Sequence, residues 1–154
     1  MMWTGSFKNQ GYYFRQVGAV TILIGLYMHV TRAFIGDDLL LAHVFTPTFD
    51  RVLTVPMVYA AVTGLMAWRH IPFRGVRDKV RYGIVLFYVA GSVPLHVYNV
   101  YLHDSTEYIR FFPMWFSYLL FPIYGAIIWI LWRLPYDGGE RQAAPAQTPL
   151  QARR

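Results

Sequence analysis

Four apolar runs, at 17–35, 52–68, 82–102 and 114–134, dominate the chain. Each approaches the roughly 20 residues that an α-helix needs to cross about 30 Å of hydrocarbon. Lipid offers no hydrogen-bond partners, so a spanning segment must satisfy its own backbone, which a helix does. The runs therefore predict an all-α integral membrane protein: a four-transmembrane-helix bundle over 1–134, followed by a flexible tail over 135–154 rich in Pro, Gly, Gln and charge. Composition agrees, since only 14% of the 154 residues are charged against roughly a quarter in soluble domains. The absence of cysteine excludes disulfides, thiolate ligands, iron–sulfur clusters and cysteine nucleophiles.

Charge sets the expected orientation. The amino-terminal lead, the loop "RHIPFRGVRDKVR", Arg133 at the end of the fourth run and the tail together hold eleven Lys and Arg against three Asp and Glu, a net of +8; the opposite side holds three against five, a net of −2. By the positive-inside rule both termini and the basic loop are cytoplasmic, in a bacterial inner membrane, with the first run retained as a span rather than removed as a signal. The overall charge of +6 is thus a topology signal, and no nucleic-acid partner is expected. The expected partners are the bilayer and either other membrane subunits or further copies of the chain. The basic loop also suits anionic headgroups.

Between the first two runs, "GDDLLLAHVFTPTFDR" is too short to span and is expected to lie in the interface as a helical turn or two, ending near Pro47. Pro94 is expected to kink helix 3 or free a carbonyl near residue 90. Trp3, Tyr12, Tyr13, Trp115, Phe116, Trp129 and Trp132 fit the aromatic belts at the two interfaces.

The polar residues within the runs fall on stripes at spacings of three and four. Helix 1 carries Gly18, Thr21, Gly25, His29, Arg32 and Gly36; helix 3 carries Tyr88, Ser92, His96, Asn99 and His103. Polar groups and small residues turn away from lipid, so these stripes are expected to face each other or a shared cavity. His29 and His96 each lie seven residues before an outer helix end, roughly 10 Å deep, in one layer.

A same-depth pair of imidazoles permits a bis-histidine haem b, with Gly25 and Ser92 leaving room for the ring and Arg32 placed for a propionate; a quinone is the other expected cofactor. His29, His96, Arg32 and Asn99 are the candidate cofactor-binding residues. A transition-metal site of His29, His96, His43 and His103 with an acid such as Asp50 or Glu107 is an alternative, suited to a membrane oxidase or hydroxylase. A third needs no metal: His96, Asp50 and Glu107 are candidate catalytic groups for acid/base chemistry on a lipid, sterol, polyene or quinone. In a fourth the protein is a non-catalytic assembly subunit, its histidines hydrogen-bonding between helices. The leading expectation is a haem b- or quinone-binding membrane subunit of a redox complex. Arg32, Asp37, Asp38, Asp50 and Arg51 also suit ion pairs that seal the outer mouth, and Tyr59, Thr63, Tyr118 and Tyr124 are expected to satisfy one another.

Overall fold

The computed structural model describes residues 10–133, all in helices and short connections with no strand among them. Four helices are long and apolar enough to cross a membrane. They are α1 (Gln10–Ile35), α2 (Pro47–Ala67), α3 (Val76–Val97, prolonged by a π-helical turn over Tyr98–Leu102) and α4 (Met114–Arg133). Residue 134, Trp3 and the tail lie outside the described residues. Apolar side chains such as Val52, Val55, Leu65, Ile84 and Phe87 point outward, a surface that fits hydrocarbon far better than water.

The helices start earlier than their apolar runs. α1 is already helical at Gln10, the first described residue, and α3 begins at Val76 rather than 82, because an apolar run marks only the stretch suited to hydrocarbon, whereas Tyr12, Tyr13, Arg77 and Arg81 suit a headgroup layer. α2 begins at Pro47 rather than 52, where local chemistry dictates a start. Thr46 is the N-cap, its hydroxyl accepting from the Phe49 amide at 3.2 Å, and Pro47 occupies the first helical position, where its missing N–H costs nothing. Helix α3 runs through Pro94 as an α-helix and departs from regular geometry only afterwards, at Tyr98–Leu102.

Helix α1 packs against α2 and α4, while α3 packs mainly on α2 and only loosely on α4. α1 and α3 are therefore diagonal, and their polar stripes do not meet as a direct helix pair. The half of the bundle next to the basic loop is packed by Phe14, Tyr82, Val85, Leu86, Ile127 and Leu131. Tyr82 donates its hydroxyl to the Gly64 carbonyl at 2.7 Å, and a Cβ on Gly64 would stand 2.8 Å from Leu86 Cδ1 and from the Phe14 ring. Gly64→Ala is accordingly expected to cost about 1–3 kcal/mol through overpacking. Thermal unfolding in detergent checks this; a melting temperature equal to that of the unsubstituted protein would show that the α1–α2–α3 seam is looser than it looks here.

At the outer end Gly36, at φ +101°, turns the chain out of α1 in a conformation that L side chains rarely adopt. The connection then forms one helical turn at Asp37–Leu39 and a π turn at Leu40–Val44, which matches the expected turn or two of helix. Leu40 and Phe45 are buried from it against Met28, Tyr108 and Ile109. Tyr108 and Ile109 come from a 3-10 turn at Glu107–Phe111. Thr106 donates to the Phe45 carbonyl at 2.7 Å, Arg110 reaches Asp38 at 2.8 Å, and Arg51 reaches Asp104 at 2.5 Å. Two connections that are distant in sequence thus form one roof over the bundle.

Candidate functional site

Beneath that roof is a cavity of about 540 Å³, lined by His29 from α1, Leu53 from α2, Tyr88, Ser92 and His96 from α3, Leu120 and Tyr124 from α4, and Phe45 and Tyr108 from the roof. Its size falls in the range of small-molecule sites, and its walls are mostly apolar with a few polar groups. The loose α3–α4 seam forms one side: Phe87, Gly91 and Leu95 line the cavity although they are exposed on the outer face of α3. The cavity consequently opens toward the apolar flank of the bundle at α3.

His96 is held by two acid or phenol groups. Its Nδ1 lies 2.5 Å from Asp50 Oδ1, and Tyr108 donates its hydroxyl to Asp50 Oδ2 at 3.0 Å. The phenol oxygen is also 3.0 Å from His96 Nδ1. Asp50 is wholly buried in the first turns of α2, where the positive end of the helix dipole favours a carboxylate. Burial, then the adjacent Asp50 carboxylate, push the Tyr108 phenol well above its ordinary range, so Tyr108 remains a donor. In the neutral imidazole Nδ1–H donates to the carboxylate, which leaves Nε2 with a lone pair. The Phe45 ring stands edge-on to both His96 and Tyr108, at 6.4 and 5.9 Å.

His29 has the opposite arrangement. Its Nδ1 is 3.1 Å from Ser117 Oγ on α4, and the same oxygen accepts from Arg32 Nη1 at 3.2 Å. Ser117 is fully buried, and a buried hydroxyl proton without an acceptor is costly. His29 Nδ1 is the remaining acceptor within reach, so Ser117 donates to it and the His29 proton sits on Nε2. Among the hydrogen bonds of the described residues none involves Nε2 of either ring. One site therefore carries an imidazole acceptor and an imidazole donor from diagonal helices.

Arg32, expected at a propionate, is engaged within the protein. It is 1% exposed and donates from Nε and Nη2 to Asp37 Oδ1 and Oδ2 at 2.6 and 3.4 Å, from Nη2 to the Phe112 carbonyl at 2.5 Å, and to Ser117. Such a guanidinium orients His29 through Ser117 rather than meeting a ligand. The space expected beside Gly25 is also partly taken, because a Cβ there would lie 3.1 Å from the Tyr124 hydroxyl. That hydroxyl accepts from Tyr88 at 2.5 Å and closes the inner end of the cavity.

The other candidates stay apart. His43 is exposed on the roof, and His103 is exposed with its ring against Tyr98 at 4.6 Å. Asn99 donates to the Leu95 carbonyl one turn back, at 2.8 Å, and its own carbonyl accepts from the His103 and Ser105 amides. It shapes the π turn and its exit. Glu107 is on the surface, paired with Arg110 at 2.6 Å. Among the described residues no three His, Asp or Glu side chains are grouped to hold a metal ion, so the four-histidine ligand set does not assemble. His29 and His96 alone of these share the cavity.

Ser117 and Tyr108 escaped the reading of the sequence. Ser117 lies in the first turns of an otherwise apolar helix, where a lone serine has no partner on its own face, and Tyr108 lies in a connection that has no period to assign it a direction. The Tyr59, Thr63, Tyr118 and Tyr124 set dissolves as well: Thr63 bonds to carbonyls of its own helix, Tyr118 donates to the Ala33 carbonyl, and Tyr124 pairs with Tyr88. Comparison with protein-family models, with curated proteins and with solved structures yields no match.

Proposed function

We propose that the protein is a membrane subunit that binds a quinone, in the cavity between His29 and His96. The observation that carries this reading is the pair of imidazoles with opposite roles on one apolar cavity. A quinone-type ring presents two oxygens, para to each other: in the quinol form one hydroxyl donates to His96 Nε2, while the other oxygen accepts from His29 Nε2–H. Asp50 behind His96 favours arrival of one proton on the imidazole as the bound quinol gives one electron to a one-electron redox centre on a partner subunit, which leaves a neutral semiquinone with its second hydroxyl intact. The opening between α3 and α4 suits a ligand that arrives through lipid. Haem b fits less well, since ligation through His29 Nε2 would require moving the proton that Ser117 places there. The basic loop and both termini are assigned to the cytoplasmic side of a bacterial inner membrane on the charge imbalance alone.

The test is binding of a short-chain benzoquinone and a short-chain naphthoquinone to the full chain in lipid nanodiscs, followed by fluorescence quenching, with a visible spectrum of the protein purified from its host. Saturable binding is expected for at least one ring, weakened about tenfold or more by His96→Ala and by His29→Ala, as loss of a hydrogen bond to a buried ligand implies. Binding indifferent to both substitutions would overturn the quinone site. A Soret band lost in the same two variants would put haem b there instead.

A further inference from the structure

At the opposite end of the bundle the first turns of α3 and the last turn of α4 enclose a second recess, of about 560 Å³, lined by Arg74, Arg77, Arg81, Arg133, Asp78 and Trp129. Among the described residues, four guanidinium groups and one carboxylate line it. Asp78 partly neutralises only Arg81, at 3.6 Å. The Arg81 and Arg133 guanidinium carbons lie over the Trp129 ring, 5.5 and 5.7 Å from its centre, which orients two of the cations by cation–π attraction. α3 starts at Gly75, an N-cap with no side-chain acceptor for the first amides, so unpaired N–H groups and the positive helix end add to the same field. Orientation by charge needs no convergence: Arg69 and Lys79 serve it equally well and do not line this recess.

We infer that this recess is a binding site for a phosphate-bearing anion, separate from the quinone cavity. Planar guanidinium groups match phosphate oxygens two at a time. Trp129 is half exposed at a helix end, the depth of a headgroup, which points to an anionic phospholipid as the source of the phosphate. A soluble phosphate compound reaching the recess from water offers the same chemistry.

Native mass spectrometry of the full chain released from neutral detergent tests this, with titration of phosphatidylglycerol, phosphatidylcholine and, separately, inorganic pyrophosphate. One phosphatidylglycerol is expected to bind in preference to phosphatidylcholine. Its affinity is expected to fall at least about tenfold in Arg77→Gln/Arg133→Gln and to change less than about twofold in Arg69→Gln/Lys79→Gln, which removes the same charge outside the recess. Pyrophosphate binding with that same dependence, without phosphatidylglycerol binding, assigns the site to a soluble ligand and leaves its chemistry intact. Equal losses in the two double variants, or no preference for either phosphate probe over phosphatidylcholine, overturns the site. Circular dichroism of each variant separates loss of binding from loss of fold.

Discussion

Arg32→Ala is expected to destabilise the protein by about 3–5 kcal/mol, because it removes the buried member of an ion pair whose Asp37 is only 24% exposed. Asp37 loses both of its guanidinium bonds, the Phe112 carbonyl loses a donor, and Ser117 loses the cation that fixes its direction. An ordinary hydrogen bond between membrane helices contributes far less, roughly 0.6 kcal/mol on average, so the magnitude distinguishes a buried charge network from simple interhelical glue. Arg32 also ties α1 to the roof at Asp37, to the segment before α4 at Phe112, and to α4 at Ser117. Its loss should therefore lower both the melting temperature and quinone affinity. Arg32→Lys is expected to recover part of the stability, since an ammonium can face Asp37 but cannot hold Asp37, Ser117 and Phe112 together. Thermal unfolding in detergent reads the first effect, and binding at a temperature where each variant is folded reads the second. An alanine variant as stable as the unsubstituted protein would mean that the outer end is held by the roof packing alone.

Asp50→Ala is the second large effect, about 2–4 kcal/mol, with loss of ligand binding, because two donors lose their shared acceptor. The His96 Nδ1–H and the Tyr108 hydroxyl had shared one carboxylate, and the 3.0 Å contact between them replaces only part of what is lost. The conservative Asp50→Asn keeps the volume but can accept from only one of the two donors while its amide faces the other, for which about 1–3 kcal/mol is the expected cost. The discriminating measurement is a double-mutant cycle. Asp50→Ala combined with His96→Ala is expected to cost less than the sum of the two single changes by roughly 1–3 kcal/mol, because the stranded imidazole is gone. Additive costs would refute direct coupling of the two groups. Tyr108→Phe removes one donor and leaves the His96–Asp50 contact, so its expected cost is smaller, about 1 kcal/mol.

These two networks mark where reading the chain reached its limit. Arg32 and Asp37 were placed in the right ion-pair set, because a guanidinium near the end of a span can be buried only with a carboxylate at hand. Its role for a propionate failed because periodicity places a residue on a face without counting what else on that face, or across from it, competes for its donors. Asp50 stands with His96 among the candidate catalytic groups, yet nothing in "TPTFDR" by itself indicates that its carboxylate turns inward to meet that ring, 46 residues away.

By itself the sequence determined the medium and the architecture. Helices that must satisfy their own backbone in lipid have a length and a composition that can be read directly, and a polar stripe within them must turn inward. It also brought His29 and His96 to one depth. Only the tertiary structure decided which helices touch, placing α1 and α3 on a diagonal so that the two histidines line opposite sides of a cavity. It alone supplied Ser117 and Tyr108, and with them the proton positions that make one imidazole a donor and the other an acceptor. The physical reason is that burial is a property of a face, visible in the spacing of residues, whereas a hydrogen bond is a property of a pair, and these pairs are separated by 46 to 88 residues of chain.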